Sequence, residues 1–300
     1  MLDDSPLAIY DSEFGDDDSP TSELIREYSA PACFSPDLFA MVSTTSEDNT
    51  DPDTHESDDD TDMDTDTENS HQTTNNKRPP WRWILVGPRR SGTGLHVDPL
   101  YTNAWVTVLQ GRKRWMLFPP STPRRLIGII KDDNNNNGEN NVDDRATGPQ
   151  DVNVSHQTAS VVWFQEYYDV VTSAEWPERY RPVEVLQDPG ETVFVPNGWP
   201  HLVLNLELTV AVTHNYASEW GSSSIDGGDG GGCDQEERGQ PLLERIWREV
   251  VEKEPEFGRR WYCGMKGKRG DLAERVRKYH EGARKRGELW ASYFRLEDCR

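Results

Sequence analysis

His96-Val97-Asp98, inside the run Gly92-Thr93-Gly94-Leu95-His96-Val97-Asp98-Pro99-Leu100, sets two strong metal ligands two residues apart. If the segment is a strand, alternation puts the imidazole and the carboxylate on one face. With a second imidazole from elsewhere in the chain, such a pair forms the two-histidine, one-carboxylate face that holds ferrous iron and leaves coordination positions open. Taken alone, the tripeptide is more simply a solvated loop or a hydrogen-bonded core histidine, so the chemistry depends on a third ligand. His201 is the candidate, because it follows Gly190-Glu191-Thr192-Val193-Phe194-Val195-Pro196-Asn197-Gly198-Trp199-Pro200 and opens an apolar run. By contrast, His71 and His156 lie in polar stretches, His280 lies in a helical tail, and His214 lies beyond the relevant turn.

The elements that would carry these residues read as short strands. Trp83-Ile84-Leu85-Val86 is a brief apolar run closed by Gly87-Pro88. Trp105 to Leu109 and Lys113 to Phe118 flank Gln110-Gly111-Arg112, the pattern of a hairpin with glycine at its tight turn. Thr192 to Val195, His201 to Leu204 and Thr209 to Thr213 supply three more strands around Pro196-Asn197-Gly198-Trp199-Pro200. Many short strands separated by turn residues predict a mainly β fold, a sandwich or barrel. After residue 240 the spacing changes, and Leu242 to Val251 and Leu272 to Trp290 read as helices.

With 300 residues, 34% hydrophobic and 10% aromatic, the chain can bury a sizeable core. No apolar run is long enough to span a bilayer, and the acidic start Met1-Leu2-Asp3-Asp4 is unlike a secretory leader, so an intracellular protein without membrane contact is expected. Cys33, Cys233, Cys263 and Cys299 have no C-x-x-C spacing, which predicts free thiols. The net charge of −22 is uneven: residues 1–80 hold 22 Asp/Glu against 3 Lys/Arg, which leaves the remainder near neutral. Residues 43–79 are almost devoid of apolar side chains and cannot offset chain entropy by burial, so disorder is expected there. Residues 131–157 read as a polar insert and 221–240 as a glycine-rich linker. Residues 241–300 carry 16 Lys/Arg against 11 Asp/Glu, a mild excess that admits weak nucleic-acid association but fits solvated helix faces better.

Several of these motifs together resemble the JmjC oxygenases, on the branch of lysyl hydroxylases and arginine demethylases. Arg82-Trp83 with Gly87-Pro88-Arg89-Arg90-Ser91-Gly92-Thr93-Gly94, then His96 to Leu100 and Gln110 to Pro119, are similar to the first half of that domain. Pro189 to Ser218 is similar to the second half, and Ser5 to Asp11 with Phe34 to Phe39 to the strand and connection before it. The resemblance implies a double-stranded β-helix, a cupin-type jelly roll, with a barrel core over 80–220 interrupted by 131–157. Residues 1–42 would then flank the barrel and 241–300 would form a helical tail. It implies that His96, Asp98 and His201 bind Fe(II), that Lys113 receives the far carboxylate of 2-oxoglutarate, and that Thr93, Thr213 and Asn215 complete the pocket. The implied reaction consumes dioxygen and 2-oxoglutarate to hydroxylate or demethylate lysine or arginine side chains of a protein substrate, and the implied compartment is the nucleus. Two residues depart from the branch: Val106 stands where it carries an asparagine, and Ala8 where it carries a tyrosine, although Tyr10 would share a strand face with Ala8. Those departures, and a chain start close to the first matching strand, keep open an alternative: a catalytically weak or inactive cupin with an incomplete barrel edge, acting as a binding scaffold.

Overall fold

The computed structural model describes residues 6–16, 19–42, 78–128, 158–219, 241–293 and 295–296. Apart from Arg78 and Pro79, the stretches read as acidic insert (43–79), polar insert (131–157) and glycine-rich linker (221–240) lie outside those residues. The described strands are β1 (Ile9–Asp11), β2 (Arg82–Gly87), β3 (Gly92–His96), β4 (Asn103–Gln110), β5 (Lys113–Leu117), β6 (Val183–Gln187), β7 (Thr192–Val195), β8 (His201–Asn205) and β9 (Thr209–Tyr216). They form two antiparallel sheets, one ordered β1-β2-β9-β4-β7 and the other β3-β8-β5-β6. This is the double-stranded β-helix expected from the sequence.

Register decides what enters the space between the sheets. In the larger sheet Tyr10 stands opposite Leu85, Trp83 opposite Thr213, Thr213 opposite Val106, and Ala104 opposite Asn215. In the smaller sheet Lys113 stands opposite Asn205, Trp115 opposite Val203, and Leu117 opposite His201. Because side chains alternate, these residues share the inner faces, where Val106, Trp115, Val195 and Val203 are buried together. The outer face of the larger sheet packs Trp105, Val212 and Tyr216 on Phe14. The outer face of the smaller sheet packs Met116, Phe118 and Leu202 on Trp163 of helix α1 (Ser160–Glu166) and Val171 of helix α2 (Tyr168–Val171). The central strands β4, β5, β8 and β9 are thus covered on both sides, which is why they read as apolar runs rather than strict alternations.

One sequence expectation is corrected here. Gln110-Gly111-Arg112 does not close a hairpin: β4 pairs with β7 and β9, β5 with β6 and β8, and the turn carries the chain from one sheet to the other. A tight turn between apolar runs looks the same in either case, and only the partner strands differ. Gly111 has φ +75°, and a Cβ there would approach the Leu208 carbonyl oxygen to 2.3 Å, so glycine is required.

The tail folds as three helices, α3 (Leu242–Lys253), α4 (Pro255–Lys268) and α5 (Gly270–Arg286). Pro255 opens α4, Lys266 and Lys268 lie in its last turn against the negative end of its dipole, and Gly287 at φ +79° closes α5. The helices bury Trp247 and Trp261 and draw in Leu38, Phe39, Leu100 and Tyr101 from the barrel side. Trp261 Nε1 donates to the Leu38 carbonyl at 2.8 Å, a direct tie between α4 and the N-terminal flank. Cys33 is free and exposed. Cys263 is disulfide-bonded, which corrects the expectation of free thiols; a pairing made in space leaves no signature in sequence spacing. Among the described residues no helix is long and apolar enough to cross a membrane.

Candidate metal centre

The strand expected to run through Asp98 stops at His96, and Asp98 lies two residues beyond it. Its backbone is still extended, with φ −61° and ψ 138°, so its carboxylate and the His96 ring can meet. His201 opens β8 directly opposite His96, and the two ring centroids are 4.1 Å apart. His96 Nδ1 donates to the Gly94 carbonyl at 2.8 Å, and His201 Nδ1 donates to the Trp199 carbonyl at 2.9 Å. A carbonyl can only accept, so each imidazole carries a proton on Nδ1 and turns Nε2 toward the carboxylate, where the neutral ring offers a lone pair.

Both Nε2 atoms face Asp98 Oδ1, His96 at 3.7 Å and His201 at 4.0 Å. These separations are too long for hydrogen bonds and leave room for an ion among the three side chains. The ligand atoms of the three residues all lie within 4.8 Å of one another. Asp98 Oδ2 is buried and makes no hydrogen bond, a costly arrangement unless something else engages the carboxylate. Burial and the neighbouring His96 charge push His201 down to about 4, so it is neutral at physiological pH. Burial works to raise the Asp98 carboxyl, but the His201 and His96 rings outweigh it and the net shift is downward, which keeps the group ionised. One carboxylate and two imidazole nitrogens on one face make a donor set that fits ferrous iron.

The three residues border a cavity of about 170 Å³ between the sheets. Thr93, Lys113, Thr213 and Asn215 line the same cavity, so the structure gathers every sequence-predicted site residue in one place. Lys113 is buried, and burial pushes its ammonium down to about 8. Thr213 Oγ1 donates to the Trp105 carbonyl at 3.0 Å, and Asn215 Nδ2 donates to Thr102 Oγ1 at 3.0 Å, which anchors both at the wall.

Residues 83–216 match the model of the JmjC domain, described as a hydroxylase. That region, the barrel, is a JmjC domain. Over 279 residues the chain is 35% identical to the bifunctional arginine demethylase and lysyl-hydroxylase psr-1 of Caenorhabditis elegans, covering 93% of this chain and 52% of that protein. Over 213 residues it is 30% identical to the arginine-specific demethylase JMJ22 of Arabidopsis thaliana, covering 71% of this chain and 31% of that protein. Over 136 residues it is 31% identical to the 2-oxoglutarate and iron-dependent oxygenase JMJD4 of Danio rerio, covering 45% of this chain and 26% of that protein. The chain spans about half the length of the psr-1 relatives it matches.

Within this JmjC domain the two departures are accommodated differently. Val106 lines the cavity as an apolar surface beside Val195 and Val203. Tyr10, rather than Ala8, enters the cavity, and its hydroxyl donates to the Gly92 carbonyl at 2.9 Å and lies 3.2 Å from Thr93 Oγ1. Sequence reasoning missed Asn205 and Ser91, which form a buried chain with Lys113. Alternation along β8 from His201 through Val203 points to Asn205, but Ser91 is 114 residues away in sequence and nothing local links the two.

Proposed function

We propose that this chain is an Fe(II)- and 2-oxoglutarate-dependent oxygenase that hydroxylates or demethylates lysine or arginine side chains of a protein. The observation that carries the reading is an ionised carboxylate with an unpartnered oxygen, flanked by two imidazoles that turn Nε2 toward it, on the same cavity as a buried lysine. His96, Asp98 and His201 would hold the metal. Bound iron supplies the activation of dioxygen, coupling decarboxylation of 2-oxoglutarate to succinate with oxygen insertion into a C–H bond. Lys113 receives the distal carboxylate, where the surrounding apolar side chains of Val106, Trp115, Val195 and Val203 exclude water and strengthen the charge pair. Thr93 and Tyr10 add hydroxyls at one side of the cavity, and Thr213 and Asn215 border it from β9.

The names of the psr-1 and JMJ22 relatives favour lysine and arginine side chains as the substrate class. Nuclear residence is proposed on the resemblance alone, and imaging the tagged chain tests it. Nucleic-acid association through the basic tail has less support, because Arg269, Arg275 and Arg277 are already paired with Asp271, Glu244 and Glu274. The scaffold reading loses part of its motive, since Tyr10 brings a hydroxyl to the cavity where Ala8 cannot.

The test is incubation of purified protein with Fe(II), ascorbate and labelled 2-oxoglutarate, with and without lysine- and arginine-rich peptides. Succinate should form, faster with an accepted peptide, and His201→Ala should abolish it. Absence of succinate together with absence of 2-oxoglutarate binding contradicts the oxygenase reading, and turnover surviving His201→Ala contradicts the ligand assignment.

A further inference from the structure

The Lys113 ammonium donates to Asn205 Oδ1 at 2.8 Å. At the other end of the same amide, Nδ2 donates to Ser91 Oγ at 2.9 Å, and Ser91 Oγ donates to the Pro88 carbonyl at 2.6 Å. The Pro88 carbonyl can only accept, so the hydroxyl hydrogen of Ser91 points at it and a serine lone pair faces Asn205. The amide therefore turns its NH2 to Ser91 and its oxygen to the lysine, and the polarity of the whole chain is fixed from the Pro88 end. The backbone of Asn205 is pinned too, its N–H to the Ser91 carbonyl and its carbonyl to the Arg90 N–H, each at 2.8 Å.

Room for this chain depends on Gly87, where a Cβ would lie 2.4 Å from Ser91 Oγ and 2.6 Å from Asn205 Nδ2. Lys113, Asn205 and Ser91 are all buried, and a buried polar chain is tolerated only when every member is satisfied. One of the three ammonium hydrogens is engaged by Asn205, which leaves two for the cavity.

We propose that Asn205, oriented by Ser91, is a positioning residue that aims the Lys113 ammonium into the cavity to receive the distal carboxylate of 2-oxoglutarate. The inference rests on the co-substrate reading above. A neutral amide oxygen suits this task, because it orients the cation without neutralising it, whereas a carboxylate in its place would compete with the co-substrate. The groups that face Lys113 support this. β8 presents Asn205 and β6 presents Gln187, whose side chain is engaged by Trp115 Nε1 and by the Val106 and Glu191 carbonyls. Across the cavity lie Tyr10 from β1 and Thr93 from β3, and the remaining titratable groups on it are His96, Asp98 and His201. Burial accounts for the lowered lysine pKa, and among the described residues no anion is paired to it.

Two measurements test this. The first follows the Cε resonance of Lys113 by NMR across pH in the metal-free wild type, Asn205→Leu and Asn205→Asp, assigned by its loss in Lys113→Met. The midpoint should lie near 8 in the wild type, lower in Asn205→Leu and higher in Asn205→Asp. The second measures binding of 2-oxoglutarate and of 2-oxobutyrate, which lacks the distal carboxylate, to the anaerobic Fe(II) protein by calorimetry. Asn205→Leu and Asn205→Asp should each weaken 2-oxoglutarate at least about tenfold and leave 2-oxobutyrate unchanged. An unmoved midpoint, or equal losses for both acids, overturns the positioning role. A wild type that binds neither acid contradicts the proposed function instead, and the NMR midpoints still decide whether Asn205 governs Lys113.

Discussion

At the scale of single residues, the site is built from groups whose other hydrogen bonds leave one atom free for the cavity. His96 and His201 give up Nδ1 to carbonyls two residues before them and keep Nε2. The His-x-Asp pair and His201 were legible in the sequence, yet the strand argument for the pair was only partly right. β3 ends at His96 after a register shift between Thr93 and His96, and an extended backbone beyond the strand brings Asp98 in. Tyr10 on β1 reaches the cavity, whereas Ala8, just before the strand, does not. Its hydroxyl lies beside Thr93 on the cavity, so Tyr10→Phe should remove about 1 kcal/mol of co-substrate binding, a rise of about fivefold in the KM for 2-oxoglutarate with kcat little changed. Steady-state succinate formation at varied 2-oxoglutarate checks this, and an unchanged KM would mean that the hydroxyl serves only Gly92 and β1.

At the scale of elements, strand positions were legible and strand partners were not. Apolar runs and turn residues located β2, β4, β5, β7, β8 and β9, but the turn at Gly111 crosses between sheets because the strands on either side of it pair with β7 and β8, each about 90 residues downstream. The helical tail was recognised by periodicity, while its role was not. α3 packs on the turn that follows Asp98, where Leu100 and Tyr101 both hold left-handed φ values of 57° and 49°. Non-glycine residues there cost about 1–3 kcal/mol each and persist only when their surroundings hold them. Burial of both side chains against Ile246 and Val250, and the Arg245 guanidinium 4.4 Å from the Tyr101 ring centroid, supply that hold. Ile246→Ala should lower stability by about 2–5 kcal/mol and also weaken Fe(II) binding, although Ile246 is not one of the cavity-lining residues. Urea unfolding and Fe(II) titration of the folded variant separate the two effects, and full metal affinity in a destabilised variant would show that the helices lend stability alone.

At the scale of the whole molecule, charge is unevenly distributed along the sequence. Most of the excess negative charge falls in the first 80 residues, and its acidic stretch interrupts the chain between the N-terminal flank and the first long strand. The ends of that interruption meet, since Arg78 Nη1 lies 2.6 Å from Asp37 Oδ2 and Arg78 Nη2 donates to the Asn215 carbonyl at 3.0 Å. Chain entropy favours a shorter connection between fixed ends, if only weakly. Replacing residues 44–76 with a short glycine-serine linker should therefore leave the Tm and Fe(II) affinity unchanged or slightly raised, as read by thermal unfolding and metal titration. A marked fall in either would show that the acidic stretch takes part in the fold or the site.

The proposed chemistry requires one metal held by His96, Asp98 and His201, and counting that metal is the most direct test. Anaerobic equilibrium dialysis of the purified chain against Fe(II) should give one ion per chain, with 2-oxoglutarate bound only to the loaded protein, and Asp98→Ala should hold none. A wild type that takes up no Fe(II), or an Asp98→Ala variant that binds it as the wild type does, would contradict the account.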